Sequence, residues 1–415
     1  MKLGYAQADI TPIKPSRLSG YGVERISVGV FDPLMVRVMV FKKDQIDMVF
    51  IQTDLIGIDP SIVDLLSSKI NITSEKIVIC CSHTHSGPIG TIKLPGLESI
   101  FGEFDHEYVK YWLEKTVDSY NEACQSFSEV QMGYKQVEIT NIGTDRHDGS
   151  YGDEKVGVWY FVTSNEHKYV LYNLACHPTV LNSDNLMITA DLPYGVVSAL
   201  KEQVDGVVFI NGSAGDISTR YTRNESSFKE VSEKGKLIAD LILKAIDDIE
   251  LEYLTTVKIK KKEFPIELKE IPNLEKIKEA MDKQLELVKK AKQEGQSITD
   301  IRVLYSVVEG FNAQLKAVDV LRQLQGLKLS VTYVMLNNTI MIGLPVELFS
   351  KLSHDYRLKD QRLHYISYCN GYYMYLTNKK AFEENYYEAG TTIFAKGQGE
   401  ILMERIYNYL VDLKW

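Results

Sequence analysis

Two histidines separated by one residue, His83 and His85, close the stretch Ile77-Val-Ile-Cys-Cys-Ser-His-Thr-His-Ser-Gly-Pro88. Side chains at i and i+2 of a strand share a face, so a β-run ending here predicts two imidazoles aimed the same way, a start on a metal site. Two ligands are half a site, and a pair of surface histidines in a turn has the same spacing. Three other apolar runs end in the same manner. The run over 169–175 leads into Cys176-His-Pro-Thr-Val-Leu-Asn182 and places His177 at a strand end. The run over 207–210 leads into Asn211-Gly-Ser-Ala-Gly-Asp-Ile-Ser218, small residues that let backbone N–H groups approach a ligand and leave Ser218 at the lip of the turn. The run over 339–342 leads into Gly343-Leu-Pro-Val-Glu347 and offers a carboxylate. Singly, His177 has a structural reading and 211–218 that of an ordinary glycine-rich loop. Four strand ends with polar groups form a pattern that no one of them provides.

The elements that must position these groups follow from periodicity. The run over 77–81 is β-branched and continuous, as in a strand buried on both faces, and such sheets carry their sites just beyond the strand ends. Strands are predicted over 35–41, with Arg37 inside it, and 48–53, ending at Asp54; Pro60 is placed to open a helix after them. Strand, helix and the 77–81 strand imply a parallel pair with a right-handed crossover. A helix over 104–125 carries Tyr108, Trp112, Val117 and Tyr120 on one stripe, read as core. Strands follow at 130–139, 156–163, 169–175 and 207–210, and helices at 193–203 and 228–249. From Pro272 to about Gln325 the composition shifts to Lys, Glu, Gln, Ala and Leu at helical spacing, broken near Gly295, which predicts a peripheral helical hairpin. Strands over 327–336 and 339–342 flank Asn337-Asn338, a two-residue turn, and a helix over 400–413 ends the chain. The fold class is α/β: mixed β-sheets flanked by helices, in one domain over 1–415 with a helical excursion at about 272–325.

Composition narrows the function. Lys plus Arg number 47 against 56 Asp plus Glu, a net charge of −9, so no field favours nucleic acid. No apolar run approaches the roughly 18 residues of a membrane span, and the N-terminus lacks an apolar signal core, so a cytoplasmic protein without a transmembrane segment is expected. Cys80, Cys81, Cys124, Cys176 and Cys369 form an odd set without a CxxC pair, expected as buried small hydrophobes.

Ser82-His-Thr-His-Ser-Gly-Pro88, Ala175-Cys-His-Pro-Thr179 with Asn182 and Ala190-Asp191 after it, Gly215-Asp-Ile-Ser218 and Leu344-Pro-Val-Glu347, in this order, resemble the motifs of the neutral/alkaline ceramidase family. Tyr375-Leu-Thr-Asn378 through Tyr387-Glu-Ala-Gly390 is similar to that family's C-terminal signature, its two tyrosines twelve residues apart. The resemblance implies a zinc-dependent amidase that cleaves an N-acyl amide or lipid such as ceramide to a carboxylic acid and an amine. It implies Zn2+ held by His83, His177, Glu347 and Tyr375, with His85, Arg146, Ser218 and Tyr387 as the remaining catalytic residues. A zinc-bound water as nucleophile with Ser218 positioning substrate is one scheme, and Ser218 as nucleophile of an acyl-enzyme is the other. Compared with the family, a short form without the C-terminal immunoglobulin-like domain is expected, and Thr219-Arg220 and Pro178 stand where Pro-Asn and Gly are usual. The alternatives are another metal hydrolase of the amidohydrolase type, for which His106, His147, His167, His354 and His364 supply no further set of strand-end ligands, and a non-catalytic metal-stabilised binding protein.

Overall fold

Strands alternate their side chains between faces, and this period of two sorts the core into layers. The computed structural model describes residues 1–150, 152, 155–271, 273–296, 304, 308, 311, 315 and 318–413. Eight strands, β1 (Lys2–Asp9), β2 (Met35–Lys42), β3 (Ile46–Thr53), β4 (Ile77–Cys81), β5 (Ser128–Glu138), β6 (Lys155–Thr163), β7 (Lys168–Leu174) and β8 (Gly206–Asn211), pair in the order β8-β7-β6-β5-β1-β2-β3-β4, with Glu252–Tyr253 beside β5. The inner pairings are antiparallel, while β8 with β7 and β4 with β3 are parallel, as the strand-helix-strand order around Pro60 predicts. A second sheet, β9 (Val257–Pro265), β10 (Lys328–Leu336), β11 (Thr339–Gly343) and β12 (Leu363–Ile366), ends in the parallel pair β11 and β12.

Ile77, Ile79 and Cys81 of β4 pack toward α1 (Ser61–Ile70) and α2 (His106–Gln125), whereas Val78 and Cys80 share a core with Val334, Leu336 and Met341 of the second sheet. At the other end of the large sheet Val170, Tyr172, Val207 and Phe209 pack on α3 (Leu192–Leu200) and α4 (Phe228–Asp247). The sheets therefore lie face to face, and Trp159 Nε1 donates to Thr339 Oγ1 at 2.8 Å across the gap. Burying both faces of β4 explains its unbroken apolar run, each such side chain contributing about 1.5–3 kcal/mol.

The predicted elements are present with ends shifted by a few residues. Pro60 stands at the start of α1, and Asn337 supplies the turn at φ 47°. The first arm of the excursion is the helix α5 (Leu274–Gln293), capped by Asn273 and ended before Gly295 at φ 68°. Much of the second arm lies outside the described residues. Its end differs from the peripheral expectation: Val320 and Leu321 are buried in one core with Phe264 and Leu329, because the chain must re-enter the sheet at β10. All five cysteines are free thiols, four of them buried. Among the described residues no helix is long and apolar enough to cross a membrane.

The carboxyl ends of strands from both sheets meet and are sewn together by backbone bonds: Ser367 N to Asn211 O at 3.0 Å, Asn370 N to Ile79 O at 2.8 Å and Gly215 N to Leu348 O at 2.8 Å. A Cβ on Gly215 would lie 2.8 Å from the Glu347 carbonyl, so only glycine permits that approach.

Candidate active site

β4 stops at Cys81, and His83 takes a left-handed backbone with φ 67°. Strand alternation therefore does not aim the two histidines, contrary to expectation; a loop beyond the strand does. The His83 amide donates to Leu55 O at 2.9 Å and its Nδ1 donates to Ile56 O at 2.7 Å. His177 is held likewise, its amide donating to Ile217 O at 3.0 Å and its Nδ1 lying 2.5 Å from Ala214 O. Carbonyl oxygens only accept, so both Nδ1 atoms carry hydrogen, and in the neutral rings both Nε2 atoms present lone pairs. Those lone pairs converge on one oxygen, Glu347 Oε2, at 3.4 Å from His83 and 3.0 Å from His177. Three Lewis bases facing one another in a buried site must share a proton or offer their lone pairs to a cation, and backbone carbonyls behind the imidazoles are the usual means of orienting metal ligands.

Glu347 and Tyr375 come together because the short strands Glu347–Leu348 and Tyr375–Leu376 pair in parallel with these two residues in register. Tyr372 donates its hydroxyl to Glu347 Oε1, leaving Oε2 to the imidazoles. Tyr368 stacks on His83 with ring centroids 3.9 Å apart. The sequence reading missed both tyrosines; the dense Tyr368-Cys-Asn-Gly-Tyr-Tyr-Met-Tyr375 segment, with its Asn-Gly turn signal, was the cue.

His85 completes a triad whose ligating atoms all lie within 4.8 Å of one another. Both of its ring nitrogens are buried without a hydrogen-bond partner, so it faces a group that the chain itself does not provide. Gly20 closes over it: at φ 91° a Cβ there would sit 2.2 Å from the imidazole. Burial lowers the basicity of His85 and His177. Burial opposes ionisation of Glu347 too, but the His83 and His177 imidazoles hold its carboxyl well below the usual range. That pull is the one exerted by imidazoles that share a proton with the carboxylate, and a divalent cation in the proton's place would leave Glu347 ionised facing two Nε2 lone pairs. Burial and the Glu347 charge raise the Tyr375 phenol, so a phenolate there needs a cation's charge.

Arg146 follows the bridge that pairs Thr144–Asp145 with Ile217–Ser218, and its amide donates to Asp216 O at 2.9 Å. Its guanidinium lies 5.3 Å from the centre of the Tyr375 ring and pairs with Glu388. Burial works against its charge, but Tyr375 and Glu388 more than offset this and hold it protonated. His147 and Glu388, neither foreseen as site residues, extend this to a quartet in which His147 bonds Asp145 at 2.7 Å and Glu388 at 2.8 Å. Both stood next to expected residues, Arg146 and Tyr387. Ser218 is buried, its Oγ accepting from the Arg220 amide at 3.4 Å, one residue after the carbonyl that anchors His177. Tyr387 opens the short helix Tyr387–Thr391 with its side chain largely exposed and its ring centroid 6.5 Å from that of Tyr375. The eight expected residues thus fall into an inner group of His83, His85, His177, Glu347 and Tyr375 and a bordering group of Arg146, Ser218 and Tyr387. A cavity of 300 Å³ is lined in part by Asp145, Asp216, Phe349 and Tyr386 and by none of the inner group.

No curated protein matches the chain in sequence. In fold it is similar to the neutral ceramidase of Pseudomonas aeruginosa, with a TM-score of 0.73 and 18% identity over 97% of this chain and 74% of that one. It is similar also to a ceramidase complexed with C2, at TM-score 0.73 and 15% identity, covering 98% of this chain and 74% of the other. The family model described as neutral/alkaline non-lysosomal ceramidase, N-terminal, matches residues 1–218, the stretch that carries His83, His85, Arg146, His177 and Ser218. With that match taking in more than half of the 415 residues and the shared fold running through nearly all the rest, the chain belongs to the neutral/alkaline non-lysosomal ceramidase family.

Proposed function

We propose that the chain hydrolyses the amide bond of an N-acylated lipid amine of the ceramide type, releasing a fatty acid and an amine. The observation that carries this is the convergence of His83 Nε2 and His177 Nε2 on Glu347 Oε2 in a chain of this family. Two imidazoles, a carboxylate and a phenol suit zinc, so His83, His177 and Glu347 would hold Zn2+, with Tyr375 as a weaker fourth ligand. Bound there, the ion would polarise the scissile carbonyl and bring the pKa of a water down to about 7.

The chain's own groups divide the remaining work. Arg146, fixed by Glu388 and kept protonated, supplies N–H donors to the oxyanion, and Tyr387 adds an O–H donor from the mouth of the site. His85, neutral and without a partner, accepts a proton at one ring nitrogen and returns it to the leaving amine. Ser218 positions the substrate through its hydroxyl.

Hydrolysis of a panel from N-acylsphingosines of stepped chain length to N-acyl amino acids tests this reading. Fatty acid release from at least one lipid amide is expected, lost on chelation and restored by Zn2+. Metal-loaded protein that cleaves none of them overturns it.

A further inference from the structure

The segment that walls His85 reverses the normal sense of burial. Arg25, Ser27 and Asp32 point inward and are buried, while Ile13, Val23, Ile26, Val28 and Val30 face outward, Ile13 exposed to 84% and Val28 to 72%; Phe31 beside them stacks on Phe228 at 3.7 Å and stays out of this face. A strand that faces water alternates in the other sense, polar outward. The inward groups have real partners. Arg25 donates to the carbonyls of Ser19, His85 and Asn185, the Ser27 hydroxyl accepts from the Ser16 amide, and Asp32 accepts from Thr189 and Ala190. Turning the apolar side chains inward would strand those groups, so the register is fixed.

The outward side chains form a face. Ile26, Val28 and Val30 are alternate residues of one extended stretch, and that stretch is hydrogen-bonded to its neighbours, Ser27 N to Ser16 O and Val28 N to Leu186 O, both at 2.9 Å. Gly29 and Val30 also pair in parallel with Met187 and Ile188. The same segment is continuous with the site wall: Gly20 closes on the His85 ring, Tyr21 meets it edge-on at 4.9 Å, and Arg25 bonds the His85 carbonyl at 2.6 Å.

We infer that this face docks on a lipid surface and holds the site at the bilayer that contains its substrate, an inference that rests on the lipid-amide reading above. A fixed apolar face beside a site for lipid is covered by lipid during turnover. The exposed charges within the segment are Lys14 and Glu24, one of each sign, with Arg17 half-buried, so apolar burial and not anionic headgroups provides the attraction.

The test is co-sedimentation of the full chain with phosphatidylcholine vesicles that contain no substrate, beside hydrolysis of a water-soluble short-chain acyl amide. Wild-type protein is expected to sediment with vesicles, with little dependence on salt. Val28→Ser and Ile26→Ser should each weaken partitioning by about tenfold, while Leu237→Ser, an exposed apolar residue on α4, should not. Thermal midpoints of the variants check that they are folded. Failure of wild-type protein to bind, or equal binding by Val28→Ser, overturns the inference. So does a dimer of the wild type that Val28→Ser dissolves, since a second copy would then own the face. Soluble amide cleaved without vesicle binding removes the docking and leaves the hydrolase; vesicle binding without cleavage of any amide does the reverse.

Discussion

Glu388 joins His147 to Arg146 with its two carboxylate oxygens, Oε2 lying 2.8 Å from His147 Nε2 and Oε1 pairing with the guanidinium. Asp145 holds the other His147 nitrogen at 2.7 Å, and the Tyr386 ring stacks on the imidazole at 3.7 Å. Two negative and two positive groups alternate in the half-dry wall of the site, and the helix that carries Tyr387 is tied to the loop that carries Arg146. The position of the proposed oxyanion donors therefore depends on the charge of a histidine outside the cluster of His83, His85, His177 and Glu347.

That dependence predicts a pH profile. Burial works against the His147 charge, but its bonds to Asp145 and Glu388 raise the imidazole from 6.5 to about 9. A base bound more tightly in the folded state stabilises fully below its unfolded pKa, and the contribution is lost as pH rises through the folded value, here between about 6.5 and 9. Solvent screening of this partly exposed group keeps the loss below the roughly 3.4 kcal/mol that the full rise would give. His147→Gln should remove it, so the difference between wild-type and variant urea midpoints shrinks across that window. Taking the difference cancels Asp32 and Asp216, which burial raises to about 7. A difference that is flat with pH would show that the imidazole is neutral throughout.

Removing one ligand should empty the metal site. His83→Ala and His177→Ala each leave an incomplete set around Glu347, and elemental analysis of purified protein is expected to show metal loss in both. Tyr375→Phe should retain more metal, because a raised phenol is the weakest donor of the four. Full occupancy in both histidine variants would contradict the ligand assignment.

Tyr372 tests the layer behind the ligands. Its hydroxyl occupies Glu347 Oε1 and so aims Oε2 at the imidazoles. Tyr372→Phe keeps the ring, which packs edge-on against Phe101 at 5.3 Å, and deletes only the donor. Metal affinity is expected to fall about 10–100-fold, as for other lost supports of ligating carboxylates. Competition with a chromophoric chelator measures it, and unchanged affinity would mean that the carboxylate is aimed by its backbone alone.

The strands were legible because burial on both faces leaves an unbroken β-branched run at 77–81 and 207–210, a local signal. His83, His177, Glu347 and Tyr375 were legible as strand-end residues and through motif resemblance, but what joins them was not. The parallel pairing of Glu347 with Tyr375 is a two-residue contact with no periodicity of its own. The left-handed backbone of His83 depends on bonds to Leu55 and Ile56 some 27 residues away. His147 was passed over because a histidine in a loop carries no pattern, and its partner Glu388 is 241 residues distant. The end of the helical excursion was read as surface because its helical periodicity does not say which layer Val320 and Leu321 enter.

The last prediction concerns the nucleophile. Ser218 Oγ accepts from the Arg220 amide, which aims a hydroxyl lone pair at backbone and suits a positioning group better than an attacking one. Its neighbour Ile217 binds His177, so the hydroxyl is still close to the metal cluster and a second scheme, acyl transfer to Ser218, has to be tested directly. Ser218→Ala should lower kcat under either scheme and decides nothing. Pre-steady-state release of the amine decides it, because acyl transfer gives a burst equal to the enzyme concentration whenever deacylation is slower, whereas direct attack by water gives none. We expect linear release and, on acid quench during turnover, an unmodified Ser218 peptide by mass spectrometry. A burst together with a peptide heavier by one acyl group would make Ser218 the nucleophile and leave His85 to activate the water that removes the acyl chain.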